Sequence, residues 1–214
     1  MDKFKTLKDH VYDYIAELIR EEKLIPDEHI NENNICQSLN ISRTPVREAL
    51  IQLAAEGVLE NKARKGFVVK AMTQKNIAEL YSLIGILDGT AAKLSCDNLN
   101  NQDYKDMEFY IDSIDLAITS GNYEMYHKQQ MLFHQIYISK CSNDVLIDTL
   151  IKSKNKILTR AYSEKERKNL KEILFNTNNE HREILKLFKA KDKEGLFRYL
   201  SEVHWDSEKA YYEL

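Results

Sequence analysis

Two sets of residues in this chain have the types and spacing for chemistry. His134, His181 and His204 lie in three separate helical stretches, each amid the apolar positions of its stretch. Three inward imidazoles from three helices can hold zinc, nickel, copper or iron. A single inward histidine is more often a hydrogen-bonded core residue, and spacing alone does not bring three together. The second set is Arg43, Thr44 and Arg47, in the run Ser42-Arg43-Thr44-Pro45-Val46-Arg47-Glu48-Ala49-Leu50. An arginine fork binds guanine O6 and N7, or clamps a phosphate. A helix offering arginines from its first turn is built like a DNA recognition helix. The same residues also suit an ordinary amphipathic helix with a solvated charged end.

The flanking elements must position these groups. Ser42 is a suitable N-cap, and Pro45 is tolerated only in a first turn, where its missing N–H is not needed. Val46, Leu50 and Leu53 then share one face, with Ala49 and Ala54 beside them. Upstream, Leu7, Val11, Ile15, Leu18 and Ile19 predict a first helix over Thr6–Glu22, stopped before Pro26. Ile30, Ile35, Cys36 and Leu39 outline a short second helix. Asn31 or its neighbour caps it, and Asn40 ends it as a left-handed residue. Two short helices joined this tightly form a helix-turn-helix. After Gly57 the period changes: Val58-Leu59 and Phe67-Val68-Val69 read as strands around a basic tip, Asn61–Gly66. Gly66 lets that tip turn or approach a sugar-phosphate backbone closely.

From Thr73 onward every apolar stripe has helical spacing. Breaks near 98–101, 120–122, 142–143, 163 and 190–193 predict six helices, near 73–96, 101–119, 122–140, 143–162, 164–190 and 193–213. The first carries Ile77, Leu80, Tyr81, Ile84, Leu87 and Ala91 on its apolar face. The fold class is therefore mainly α: a winged helix-turn-helix over 1–72, then an all-α antiparallel six-helix bundle over 73–214.

The bulk numbers agree. The 214 residues are 43% hydrophobic and 30% charged, enough for a core with a hydrophilic surface. No apolar run approaches a membrane span, and the polar, mixed-charge N-terminus is not a signal peptide. The three scattered cysteines, Cys36, Cys96 and Cys141, fit reduced thiols in the cytoplasm rather than a disulfide framework. A net charge of −3 conceals an uneven distribution. From Ile41 to Met72, six basic residues (Arg43, Arg47, Lys62, Arg64, Lys65, Lys70) stand against three acids (Glu48, Glu56, Glu60), a local excess of three positive charges.

On these residues the segment Leu7–Lys70 resembles the winged helix of the GntR family of bacterial transcription regulators. The matching positions are the Val-Tyr-x-x-Ile start, Leu24-Ile25-Pro26, Ile30-Asn31-Glu32, Leu39 through Leu50, Leu53, Glu56-Gly57 and Gly66-Phe67-Val68-Val69. The resemblance implies that Arg43 and Arg47, with Thr44 and Ser42 beside them, face DNA. It implies that the wing at Lys62, Arg64, Lys65 and Gly66 touches backbone or minor groove. Asn33 stands where family members often carry a DNA-contacting arginine. The helical remainder is similar to the FadR-like branch, whose effector domain is called FCD, and six helices suggest its VanR-type subgroup. His134, His181 and His204 match that family's metal-binding histidines, and Gln130 stands in place of its aspartate ligand four residues earlier. A neutral amide is a poorer partner for a divalent cation. Ile84 replaces a usual arginine, and Asp88 keeps the acid that follows it.

The implied protein is a cytoplasmic, metabolite-responsive repressor. It binds a palindromic double-stranded operator as a homodimer, with zinc or nickel as the metal and an organic acid as the suspected effector. Two other readings fit: a constitutive DNA binder with a decayed sensor site, motivated by Gln130 and Ile84, or a helical-bundle metalloenzyme carrying a winged helix as an interaction module. Against the enzyme, there is no HExxH, nucleophile-base pair or Gly-rich phosphate loop. His127, one heptad before His134, has the place to supply a substitute ligand or hydrogen bond, but reads first as a partly exposed helix residue. The acids flanking His181, Glu180 and Glu183, read as supporting or exposed groups. The lysines and arginines between Lys152 and Lys171 form a basic cluster that reads first as a solvated face, with a dimer contact or an anion site as the sharper alternative.

Overall fold

The computed structural model describes residues 6–20, 23–158 and 169–212. The predicted helix ends at Glu22 and 162, the helix start at 164, and Arg160, Lys165, Arg167 and Lys168 of the basic cluster lie outside the described residues. The chain divides into two compact units. One is Met1–Thr73 with Lys154–Ala161; the other is Gln74–Ser153 with Tyr162–Leu214.

The first unit contains α1 (Leu7–Arg20), α2 (Glu32–Leu39), α3 (Arg43–Ala55), β1 (Leu59–Lys62) and β2 (Gly66–Val69). Its core joins Val11 and Ile15 of α1, Ile35 of α2, Val46, Ala49, Leu50 and Leu53 of α3, and Leu59, Phe67 and Val69 of the hairpin. These are the periodic apolar positions, so hydrophobic spacing decides which faces turn inward. The Asn31 side chain accepts from the N–H groups of Asn33 and Asn34, and Asn40 closes α2 at φ 52°. Ser42 occupies the N-cap of α3, but its hydroxyl makes no capping bond.

The hairpin is antiparallel, with Leu59 opposite Val69 and Lys62 opposite Gly66. The Lys65 N–H bonds the Lys62 carbonyl at 3.0 Å, and the tip turns through Arg64 at φ 65° and Gly66 at φ 72°. The segment before α2 runs along the other edge of β2, where Ile30 N–H meets the Phe67 carbonyl and Val69 N–H meets the Glu28 carbonyl.

The second unit contains helices and no strand among its described residues. It comprises α4 (Gln74–Ser95), α5 (Asn101–Ser120), α6 (Tyr123–Ile138), α7 (Asp144–Leu158) as far as Ser153, α8 (Leu170–Lys189) and α9 (Lys193–Arg198). Asn100 and Asp103 form a reciprocal capping box at the start of α5, and Gly121 ends it at φ 70°. Helix α5 packs against α6 and α8, while α4 packs against α6 and α9. Beyond α9 the chain continues as a π-helical turn, Tyr199–His204, then a 3-10 turn, Ser207–Tyr212.

Two features bring the end of this unit close to α4. A Cβ on Gly89 would lie 2.9 Å from the Phe197 carbonyl oxygen, and one on Gly85 would lie 3.1 Å from the Ser201 Cα. Both glycines therefore let backbone approach backbone. The π turn sets the phase. The eighth residue along an α-helix is rotated by about 80°. The wider turn keeps His204 on the buried face of Leu196 and Leu200.

Candidate functional site

Three elements deliver the histidines. α6 carries His134, α8 carries His181, and the π turn carries His204; all three are buried. Their ligand atoms lie within 4.8 Å of one another. The sequence alone could not show that they meet.

What orients each ring is visible in its Nδ1 partner. The Tyr137 hydroxyl donates to Asp88 Oδ1 at 2.7 Å, so its oxygen is left to accept from His134 Nδ1–H at 2.5 Å. Asp88 Oδ2 also lies 3.2 Å from that nitrogen. The Asn178 amide nitrogen donates to the Ile111 carbonyl at 2.9 Å and to Asp115 at 2.7 Å. That fixes the amide so its oxygen faces His181 Nδ1 at 3.1 Å. Glu180 Oε2, an acceptor only, lies 2.8 Å from His204 Nδ1.

Each Nδ1 is thus a donor, and each neutral ring carries its lone pair on Nε2. His134 Nε2 and His204 Nε2 face each other at 3.3 Å. Two lone pairs at that distance repel unless a cation lies between them. Nitrogens bound about 2.05 Å from a tetrahedral zinc are about 3.3 Å apart. Three borderline-soft imidazoles with fixed tautomers fit zinc or nickel. Burial, and then the charge of Asp88, raises the Tyr137 hydroxyl pKa well above its ordinary value, keeping it a neutral donor.

The remaining expectations for this unit fare unevenly. Gln130 stands one turn before His134 on α6 and is half-buried. Ile84 is fully buried one turn before Asp88. His127 is buried rather than partly exposed, because it lies two turns before His134 on the inward face of α6, opposite the exposed stripe of Glu124, Lys128, Met131 and Gln135. Glu180 serves His204, not its neighbour His181. Asp88 is more than a retained acid: it holds Tyr137, His134 and the Trp205 indole N–H, the last at 2.8 Å. A signal was available, since an aspartate in register with the apolar stripe of α4 must be buried, and buried carboxylates require partners. Asn178, Tyr137 and Trp205 offered no comparable signal.

In the winged helix, Ser42, Arg43, Thr44 and Arg47 are exposed at the start of α3, behind which Val46, Ala49 and Leu50 are buried. Asn33 is exposed early in α2. Arg64 and Lys65 are exposed at the wing tip. Lys62 differs, because its ammonium pairs with Asp27 at 2.6 Å and with Glu60 at 2.8 Å. Those hydrogen bonds, Asp27 first, push its pKa up to about 12.

Two family models match the chain. Residues 7–69 match the model of the bacterial regulatory proteins of the gntR family, and residues 79–204 match the FCD domain. The chain is 38% identical over 78 residues to the Nta operon transcriptional regulator of Aminobacter aminovorans, covering 36% of this chain and 37% of that protein. It is 31% identical over 113 residues to the gluconate operon transcriptional repressor of Bacillus subtilis (strain 168), covering 51% of this chain and 44% of the repressor. Across three curated relatives the matched share of the relative's own length runs from 37% to 62%. The fold is similar to that of E. coli McbR/YncC, with a TM-score of 0.78, 23% identity and 94% of each chain covered. Among the described residues no helix is long and apolar enough to cross a membrane. Both matched models belong to regulators rather than enzymes, which sets the metalloenzyme reading aside. The chain belongs to the GntR family of transcription regulators, in the FadR-like branch that joins a winged helix-turn-helix to an FCD domain.

Proposed function

We propose that this protein is a cytoplasmic, metabolite-responsive repressor that binds a palindromic operator as a homodimer. Residues 1–72 are its DNA-binding domain, and 73–214 its ligand-binding and dimerisation domain, of the VanR-type six-helix kind. One winged helix covers a half-site, so two-fold pairing matches a two-fold operator. Helix α3 enters the major groove and places Arg43, Thr44 and Arg47 on base edges and phosphates. The first-turn N–H groups that the Ser42 hydroxyl leaves uncapped face the backbone. Arg64, Lys65 and Gly66 carry the wing contact, with Lys62 and Asn33 contributing least.

His134, His181 and His204 hold a zinc or nickel ion, with Gln130 one turn away from His134. Such an ion supplies a Lewis-acidic position for the carboxylate of an organic acid. Ligand bound there changes operator affinity by linkage. The single observation that carries the sensing half of this reading is the fixed tautomer of all three rings, which turns every Nε2 lone pair to one place. A decayed sensor would have no reason to keep Asp88, Asn178 and Glu180 in those positions.

The test is a gel shift on an operator that the wild-type protein selects from random duplexes. Arg47→Ala removes specific binding while gel filtration still shows a folded dimer. Unchanged affinity in that variant overturns the assignment of α3.

A further inference from the structure

The segment that supplies His204 does more than supply a ligand. Immediately after it, the Trp205 indole N–H donates to Asp88 Oδ2 at 2.8 Å. Four residues further on, the Lys209 ammonium pairs with Glu180 Oε1. The other oxygen of each carboxylate serves the cluster. Asp88 Oδ1 receives the Tyr137 hydroxyl that meets His134, and Glu180 Oε2 receives His204 Nδ1–H. Three residues of one short stretch, His204, Trp205 and Lys209, thus reach the two acids that orient two of the three rings.

We propose that Trp205 and Lys209 form a clasp that sets the metal affinity of the cluster without touching the ion. This rests on the reading of the three histidines as a metal site. Each carboxylate has two oxygens, and one is committed to a histidine or its tyrosine. Binding the other to a residue of the C-terminal turn stops the carboxylate from rotating away. The ring it holds then keeps its Nδ1–H tautomer and its aim. The cost of losing such outer partners is about 10–100-fold in metal affinity.

Trp205 packs its ring 5.3 Å from the His204 ring and 6.0 Å from the His134 ring, centroid to centroid, and edge-on to Tyr81 at 5.2 Å. It is the only tryptophan in the chain, so its fluorescence reports this place alone. Lys209 and Trp205 are positioning residues.

The experiment uses the full chain, stripped of metal with a chelator and titrated with zinc against a chromophoric competitor. A parallel nickel titration follows Trp205 emission, which an ion with an open d shell quenches at short range. Wild type binds one ion with quenching, and His181→Ala binds none. Lys209→Met and Trp205→Phe each bind about 10–100-fold more weakly. Lys209→Arg, which keeps the cation, restores wild-type affinity, a rescue that a purely structural lysine would not require. Lys209→Met retains Trp205 and its packing, so it tests the clasp even where Trp205→Phe folds poorly. Zinc binding by wild type with equal affinity in Lys209→Met and Trp205→Phe overturns the clasp and leaves the histidine site standing. No binding by wild type overturns both.

Discussion

The start of α3 and the histidine cluster, as the proposed DNA-reading surface and the proposed metal site, are built in opposite ways. The first is a contiguous run on one exposed face, with its apolar side packed behind it. Its arginines are long and exposed to solvent. The second is assembled from three elements far apart in the chain, buried, and fixed by hydrogen bonds from Asp88 and Tyr137 for His134, Asn178 for His181 and Glu180 for His204. A surface that reads DNA gains most of its affinity from charge and can tolerate mobile side chains. A metal site needs rings aimed before the ion arrives, because each misaimed ligand weakens it. The contrast teaches that the two sites fail differently: the first by losing a side chain, the second by losing an orientation.

The largest expected effect separates them outright. Each bidentate arginine contributes about 1–3 kcal/mol, so a homodimer of Arg47→Ala loses about 30-fold or more in operator affinity. Zinc affinity of the same variant, measured by competition, stays at the wild-type value. A coupled fall in both would break the comparison.

The next effect acts on orientation alone. Gly89→Leu forces a side chain into the Phe197 backbone, which a Cβ alone would meet at 2.9 Å. Overpacking of this kind costs about 1–3 kcal/mol. Urea denaturation should show that loss, and zinc affinity should fall with it, because α9 and the π turn position His204. Retained zinc affinity at reduced stability would show that the close approach of α4 does not aim that ring.

The smallest effect lies within the wing. Lys65→Ala should lower the salt slope of operator binding by about one counterion per copy, while Lys62→Ala should change it less. Lys62 already meets Asp27 and Glu60, whereas Lys65 is exposed. Equal slopes in the two variants would mean that Lys62 leaves its acids to meet phosphate.

This contrast also explains what the sequence disclosed. The winged helix was legible because its determinants are local. Pro45 in a first turn, Asn40 at a left-handed position, and the change of period after Gly57 each act within a few residues. The six-helix pattern was legible for the same reason. The histidines were visible only as candidates, since their apolar registers say inward but not together. Their partners were hidden because the bonds are long-range: Tyr137 meets Asp88 across 49 positions and Trp205 meets it across 117. The exchange of Glu180 from His181 to His204 illustrates the limit. Sequence adjacency suggested one ring, and the phase of α8 delivers the acid to another. Ser42 shows a smaller version, where its place at the N-cap was legible and the absence of a hydroxyl bond was not.

The most direct measurement is the metal content and zinc affinity of wild type beside His134→Ala, His181→Ala and His204→Ala, with operator affinity recorded for stripped and reloaded protein. The account predicts one divalent ion per wild-type chain, none in each variant, and an operator affinity that shifts on reloading only in wild type. Full metal occupancy in any single variant, or no ion in wild type, would contradict it.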